Sequence, residues 1–213
     1  KCNEEYIRSV LKKRPTATLS FMIDLKEFIY NDTLDTTLLN DMIIHGRFSW
    51  FKMVRIACTK ANIEHVYEAV QILKNKKYII GVNLMQVALL DKKDYYKCIE
   101  TLKLSKDKVD YFYIADSFGT IRPKHMGFYR DTFKTLGRIG FHAHDNMGLA
   151  FANVLQASHW HIYDTTVTGM GRGVGNAKTE QYLSCFQNVD LTNLNDVITK
   201  YFNPLKKKHN WGW

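Results

Sequence analysis

Short runs rich in β-branched and aromatic residues alternate with longer amphipathic stretches along almost the whole chain. No other feature constrains the fold as much. The runs are 17–23 (ATLSFMI), 53–58 (MVRIAC), 79–85 (IIGVNLM), 111–116 (YFYIAD), 139–144 (IGFHAH) and 162–168 (IYDTTVT). Between them, residues 61–76 carry Ile63, Val66, Ala69, Val70 and Leu73 at helical spacing. Residues 95–104, 124–136, 149–160, 176–186 and 194–201 read the same way. Successive runs lie roughly 25 to 35 residues apart, the size of a βαβ unit. Alternation of this kind implies a parallel sheet covered by helices.

An open doubly wound sheet and a closed (β/α)8 barrel both fit. A dinucleotide-binding sheet would carry GxGxxG after its first strand, and none occurs there. Polar residues instead gather at the ends of several runs: Arg55, then Asn83 and Gln86, then Asp116 and Ser117, then His142 and His144, then Thr166 and Thr168. Functional side chains drawn from successive strand ends mark the mouth of a TIM-type barrel. The expectation is one α/β domain over residues 1–213, a TIM barrel present as about six βα units.

With 213 residues, 46% hydrophobic and 24% charged, the chain can bury one sizeable core. Cys2, Cys58, Cys98 and Cys185 are far apart and form no CxxC pair, which points to reduced thiols and a cytoplasmic location. No apolar run reaches the ~18 residues that suggest a membrane span. The chain begins with Lys rather than Met, as a processed or partial chain does. The net charge of +9 invites a nucleic-acid reading. The lysines are scattered over presumed helix surfaces, however, and no nucleic-acid motif accompanies them, so a solvated basic surface is expected. That surface also suits anionic small molecules.

Three motifs carry chemistry. In GFHAHDN (140–146), strand alternation sends His142 and His144 to the same side, where both rings can reach one divalent ion. The plain alternative is a hydrogen-bonded histidine pair at a barrel rim. In TGMGRGVGN (168–176), Gly169, Gly171, Gly173 and Gly175 let backbone approach a ligand closely. Arg172 offers a partner for a carboxylate or phosphate, and Asn176 is expected to open a helix whose free N–H groups suit an anion. In YIADSFGTIRP (113–123), Asp116 and Ser117 end a strand, Gly119 turns the chain and Pro123 sits near the first helical position. Asp116 is either a rim residue that orients its neighbours or a direct participant. The remaining histidines lack paired spacing and are read as packing or surface residues.

FHAHDNMGLAFAN and TGMGRGVGNAKTE, in this order and spacing, resemble the pyruvate-carboxylase-like and 3-hydroxy-3-methylglutaryl-CoA-lyase-like family of metal-dependent aldolases, lyases and synthases. The likeness runs from about Ile7 to the closing NWGW and is nearest to aldolase domains of the 4-hydroxy-2-oxovalerate type. It implies a TIM barrel holding one divalent cation (Mg²⁺, Mn²⁺ or Zn²⁺), with His142, His144 and Asn176 as ligands. Asp116 and Ser117 then line the mouth, and Arg55, Thr168 and Arg172 join Ser117 as candidate substrate contacts. Asp116 and Arg172 are also the weak candidates for a direct catalytic part. The implied partners are a 2-oxo acid and an aldehyde, with homo-oligomerisation left open. Against the family pattern, the first two strands are missing, and with them the Arg-Asp pair that supplies a carboxylate ligand; Asp24 is the remaining geometric candidate. Two alternatives stand beside the aldolase: an acyl-CoA/2-oxo acid condensing synthase, and a non-catalytic barrel remnant serving as an interaction module.

Overall fold

The computed structural model describes residues 4–211. Cys2 and the last two residues of NWGW lie outside them. The strands are β1 (Leu19–Asp24), β2 (Ile29–Tyr30), β3 (Thr33–Leu34), β4 (Phe51–Cys58), β5 (Ile79–Leu84), β6 (Tyr111–Asp116), β7 (Ile139–Ala143) and β8 (Ile162–Asp164). Six of them form a parallel sheet in the order β1-β4-β5-β6-β7-β8, and β2 and β3 make a separate hairpin. With helices between strands, this is an α/β fold of the TIM-barrel type, with six βα units among the described residues. No described helix is long and apolar enough to cross a membrane.

By its contacts the chain divides into two compact units. The first comprises residues 1–84 and 92–112. In it β1 pairs in parallel with β4 and β4 with β5, setting Ile23 beside Ile56 and Ile56 beside Val82. Val54, Ile56, Ile80 and Val82 are fully buried, as a strand covered on both faces requires. Helix Val66–Asn75 buries Val66, Ala69, Val70 and Leu73, and helix Lys92–Lys103 buries Tyr95, Cys98, Ile99 and Leu102. Both sets follow the i, i+3, i+4, i+7 stripe of an amphipathic helix. The β2–β3 hairpin was not expected from the sequence. Its two-residue loop, Asn31-Asp32, has both φ angles positive, at 47° and 54°, which the right-handed strand twist favours in a tight hairpin. Helix Thr36–Met42 follows, capped by Asp35, whose carboxylate accepts from the Leu38 N–H at 2.8 Å.

The second unit comprises residues 85–91 and 113–213. Here β7 pairs in parallel with β8, matching Gly140 with Ile162, Phe141 with Tyr163 and His142 with Asp164. Gly140 is required by packing: a Cβ there would lie 2.6 Å from the Tyr113 ring and 2.8 Å from Ile162. Pro123 occupies the first turn of the 3₁₀ segment Pro123–His125, which leads into helix Met126–Phe133.

Two sequence expectations need correction here. The last strand stops at Asp164 instead of running to residue 168, because its pairing with β7 ends at His142, and the chain then enters a short 3₁₀ segment in which Thr168 turns left-handed at φ 55°. Asn176 does not open a helix. It sits in an isolated antiparallel bridge with His144, and the helix begins three residues later at Thr179.

Candidate functional site

The second unit brings the histidine motif and the glycine-rich loop together. His142 lies in β7 and His144 follows its end; their ring centroids are 5.2 Å apart with planes at 76°. Alternation along an extended strand makes this possible, since residues two apart share a face.

Each ring has a distinct environment. His142 Nδ1 lies 2.9 Å from Asp164 Oδ2, the pairing that the β7–β8 register sets up. With that nitrogen donating its proton to the carboxylate, Nε2 retains a lone pair for a ligand. His144 has its pKa lowered to about 4, first by burial and then by the neighbouring His142 and Arg172. Its imidazole is therefore neutral near neutral pH, the form that coordinates cations.

Asn176 is held opposite His144 by backbone pairing on both sides. The Asp145 N–H donates to Gly175 O at 2.9 Å, and the Ala177 N–H donates to Ala143 O at 3.2 Å. Its side-chain N–H donates to Met170 O at 3.1 Å. The amide oxygen, Oδ1, is buried and has no hydrogen-bond partner among the described residues. A buried orphan acceptor costs about 1–3 kcal/mol, so this oxygen is a donor atom that a bound cation would satisfy. Imidazole nitrogens and an amide oxygen are donors that a borderline or hard divalent cation accepts. Among the described residues no group of three or more His, Cys, Asp or Glu side chains could hold a metal. The fit therefore depends on the amide as third donor.

Asp116 is fully buried at the end of β6. Its two carboxylate oxygens accept the Thr120 and Ile121 N–H groups, each at 3.0 Å. Burial raises its pKa, while those N–H groups, that of Gly119 and the charge of His142 pull the other way. It thus orders the 116–121 turn. Gly119 in that turn has φ +60°, and a Cβ there would meet Asn146 N at 2.5 Å and His144 O at 2.7 Å. The turn packs directly against the histidine segment, and only glycine allows it.

The other expected residues are placed as follows. Ser117 Oγ accepts the Gln86 N–H at 3.0 Å. Thr168 is buried, with its hydroxyl donating to Val167 O at 2.7 Å. Arg172 is exposed, yet its charge acts on His144. Arg55 belongs to the first unit, where its Nε donates to Asn83 Oδ1 at 3.1 Å. Asp24, in the same unit, caps a 3₁₀ turn through the Lys26 N–H and pairs with the Lys26 ammonium at 3.2 Å. Sequence reasoning missed Asp164. Its signal was an acid two residues into IYDTTVT, in register with the first histidine once β7 and β8 are paired.

Comparison with known proteins places this geometry in context. The HMGL-like family model matches residues 5–196. The chain is 31% identical over 172 residues to 4-hydroxy-2-oxovalerate aldolase 2 of Rhodococcus opacus (strain B4), covering 74% of this chain and 48% of that protein. It is 27% identical over 209 residues to 4-hydroxy-2-oxovalerate aldolase of Shewanella pealeana, covering 92% of this chain and 57% of that one. The chain thus spans about half the length of the aldolases it matches. Among solved structures, the N-terminal domain of a Bacteroides vulgatus protein assigned as an aldolase superposes with a TM-score of 0.82 at 28% identity, covering 97% of this chain and 69% of that one. Hydroxymethylglutaryl-CoA lyase from Pseudomonas aeruginosa shares the fold, with a TM-score of 0.67 at 15% identity over 91% of this chain and 71% of that one. With the family model matched across most of its length, the chain belongs to the HMGL-like family.

Proposed function

We propose that this protein is a divalent-metal-dependent carbon–carbon lyase of the aldolase type, acting next to the carbonyl of a 2-oxo acid. The observation that carries the reading is the buried, unpartnered Oδ1 of Asn176 held opposite the neutral His144. The aldolase relatives support the reaction class.

His142, His144 and Asn176 would hold the cation, with Mg²⁺, Mn²⁺ and Zn²⁺ all compatible with nitrogen and oxygen donors. When bound, it supplies Lewis acidity that polarises the 2-oxo acid carbonyl and favours the enolate side of carbon–carbon cleavage. Asp164 fixes the His142 ring and its tautomer. Arg172, exposed on the loop, offers the substrate carboxylate a cationic partner. Asp116 keeps the facing turn in place through the Thr120 and Ile121 N–H groups.

Enolate chemistry can be read without knowing the aldehyde partner. Pyruvate methyl protons should exchange with D₂O, by NMR, when protein and Mn²⁺ or Mg²⁺ are both present. His142→Ala and His144→Ala should reduce the exchange to background. Exchange that is equal in those variants, or absent while metal is bound, refutes the reading.

A further inference from the structure

Thr168 has φ 55° and ψ 21°, a left-handed conformation that is a true outlier for a β-branched residue. Such a conformation persists only when its surroundings over-determine it. Both faces of its peptide framework are held from outside the loop. The Thr168 N–H donates to Glu180 Oε2 at 3.0 Å, and the Thr168 carbonyl accepts from the Trp211 indole N–H at 3.3 Å. Trp211 is 6% exposed, although it lies close to the end of the chain. It reaches this position because helix Asn203–His209 ends on Asn210 in the left-handed region, with the Asn210 N–H donating to Lys206 O at 2.7 Å. That cap turns the chain out of the helix direction.

The held residue leads to the candidate site. Gly169 follows Thr168, and its carbonyl accepts the Asn176 N–H at 3.0 Å. Gly175 packs so closely against the same carbonyl that a Cβ there would lie 2.1 Å from it. The loop therefore closes on the carbonyl of the residue next to the one that Glu180 and Trp211 grip, and Asn176 is set from that closure.

We propose that Glu180 and Trp211 are positioning residues: a two-sided clamp on Thr168 that closes the glycine-rich loop and presents Asn176 to His144. The role in metal binding rests on the reading of Asn176 as a ligand, but the clamp itself is testable without metal. Both act through the Thr168 backbone, and neither is among the residues assigned to the cation or the substrate.

The test uses the whole chain and two readouts. Amide hydrogen exchange is measured at Asn176 and Ala177 in metal-free protein, with the Phe141 amide of β7 as control, and Mn²⁺ affinity is titrated separately. Glu180→Ala removes the acceptor, and exchange at Asn176 and Ala177 should rise about tenfold or more; Glu180→Gln keeps an oxygen for the Thr168 N–H and should restore it to near the parent rate. Trp211→Phe keeps an aromatic ring without the N–H and should raise exchange about 2- to 10-fold. Both Glu180→Ala and Trp211→Phe should weaken Mn²⁺ binding by similar factors. Unchanged exchange at Asn176 in both variants, or equal exchange for Glu180→Ala and Glu180→Gln, overturns the clamp. If exchange rises as expected while the parent binds no Mn²⁺, the clamp stands and the metal reading fails. A Trp211→Phe chain that does not fold leaves the Glu180 pair to decide.

Discussion

Replacing Gly171 with alanine should displace the Asn176 amide while leaving most of the fold intact. Gly171 has no left-handed backbone, so a side chain there meets no conformational penalty of that kind. Its new Cβ would lie 2.6 Å from Asn176 Nδ2, 3.0 Å from Cγ and 3.2 Å from Oδ1. To regain ordinary contact at 3.4 Å, Nδ2 must retreat by about 0.8 Å, and the planar amide, moving as a unit, carries Oδ1 with it. Metal–ligand distances tolerate only about ±0.2 Å, so Oδ1 leaves any position it holds on a cation. The displacement also strains the hydrogen bond from Nδ2 to Met170 O, worth about 0.5–1.5 kcal/mol. Gly171→Ala should therefore weaken Mn²⁺ binding about 10- to 100-fold, on the scale of other losses around a metal site, and lower stability by no more than about 2 kcal/mol. Gly173→Ala is the matched control in the same loop. A Cβ there meets nothing within 4 Å, and only its φ of +58° opposes the change. It should cost about 1–2 kcal/mol in urea denaturation and leave Mn²⁺ affinity within a factor of about three. Titration calorimetry and urea melts on both variants check the contrast. Equal Mn²⁺ affinities for the two refute the reasoning.

Asp164→Asn removes the carboxylate beside His142 Nδ1 and should weaken Mn²⁺ binding about 10- to 100-fold, measured by calorimetry. In metal-free protein the His144 ring should titrate near pH 4 by NMR. Because its folded pKa lies below the unfolded value of about 6.5, the unfolded state binds more protons between those values. The His144 contribution to stability therefore rises with pH from about 4 to about 6.5, is fully present above that window and is lost as pH falls through it. His144→Gln should flatten that part of the urea-midpoint profile. Asp116→Ala strands the buried Ile121 N–H, while the Thr120 N–H, on an exposed residue, can turn to water. It should cost about 1–3 kcal/mol, whereas Asp116→Asn, which keeps one acceptor, should cost clearly less; thermal melts separate them.

The strand-and-helix alternation was legible because buried parallel strands and amphipathic helices write different periods into the chain. Five of the six sheet strands were located to within two residues by that signal, and β6 was found over its full span, Tyr111–Asp116. The hairpin at Asn31-Asp32 was not, because a two-residue strand carries too few side chains to show alternation. The sixth strand was drawn too long because Thr165, Thr166 and Val167 favour extended backbone, and nothing local signals the left-handed turn at Thr168. At the site, HxH was readable from strand alternation alone. Asp164 was not, since its partnership with His142 depends on the register of two strands separated by a helix. The helical pattern of 176–186 puts Asn176 at a helix start; its bridge to His144 is set by backbone pairing, to which side-chain identity gives no clue. Trp211, 43 residues from its acceptor, is the extreme case.

Pulsed electron paramagnetic resonance of the Mn²⁺-loaded protein tests the coordination claim most directly. Nitrogen couplings from two imidazoles should be present, falling to one in His142→Ala and in His144→Ala. A bound Mn²⁺ signal with no nitrogen coupling, or with couplings unchanged in both variants, would contradict the account.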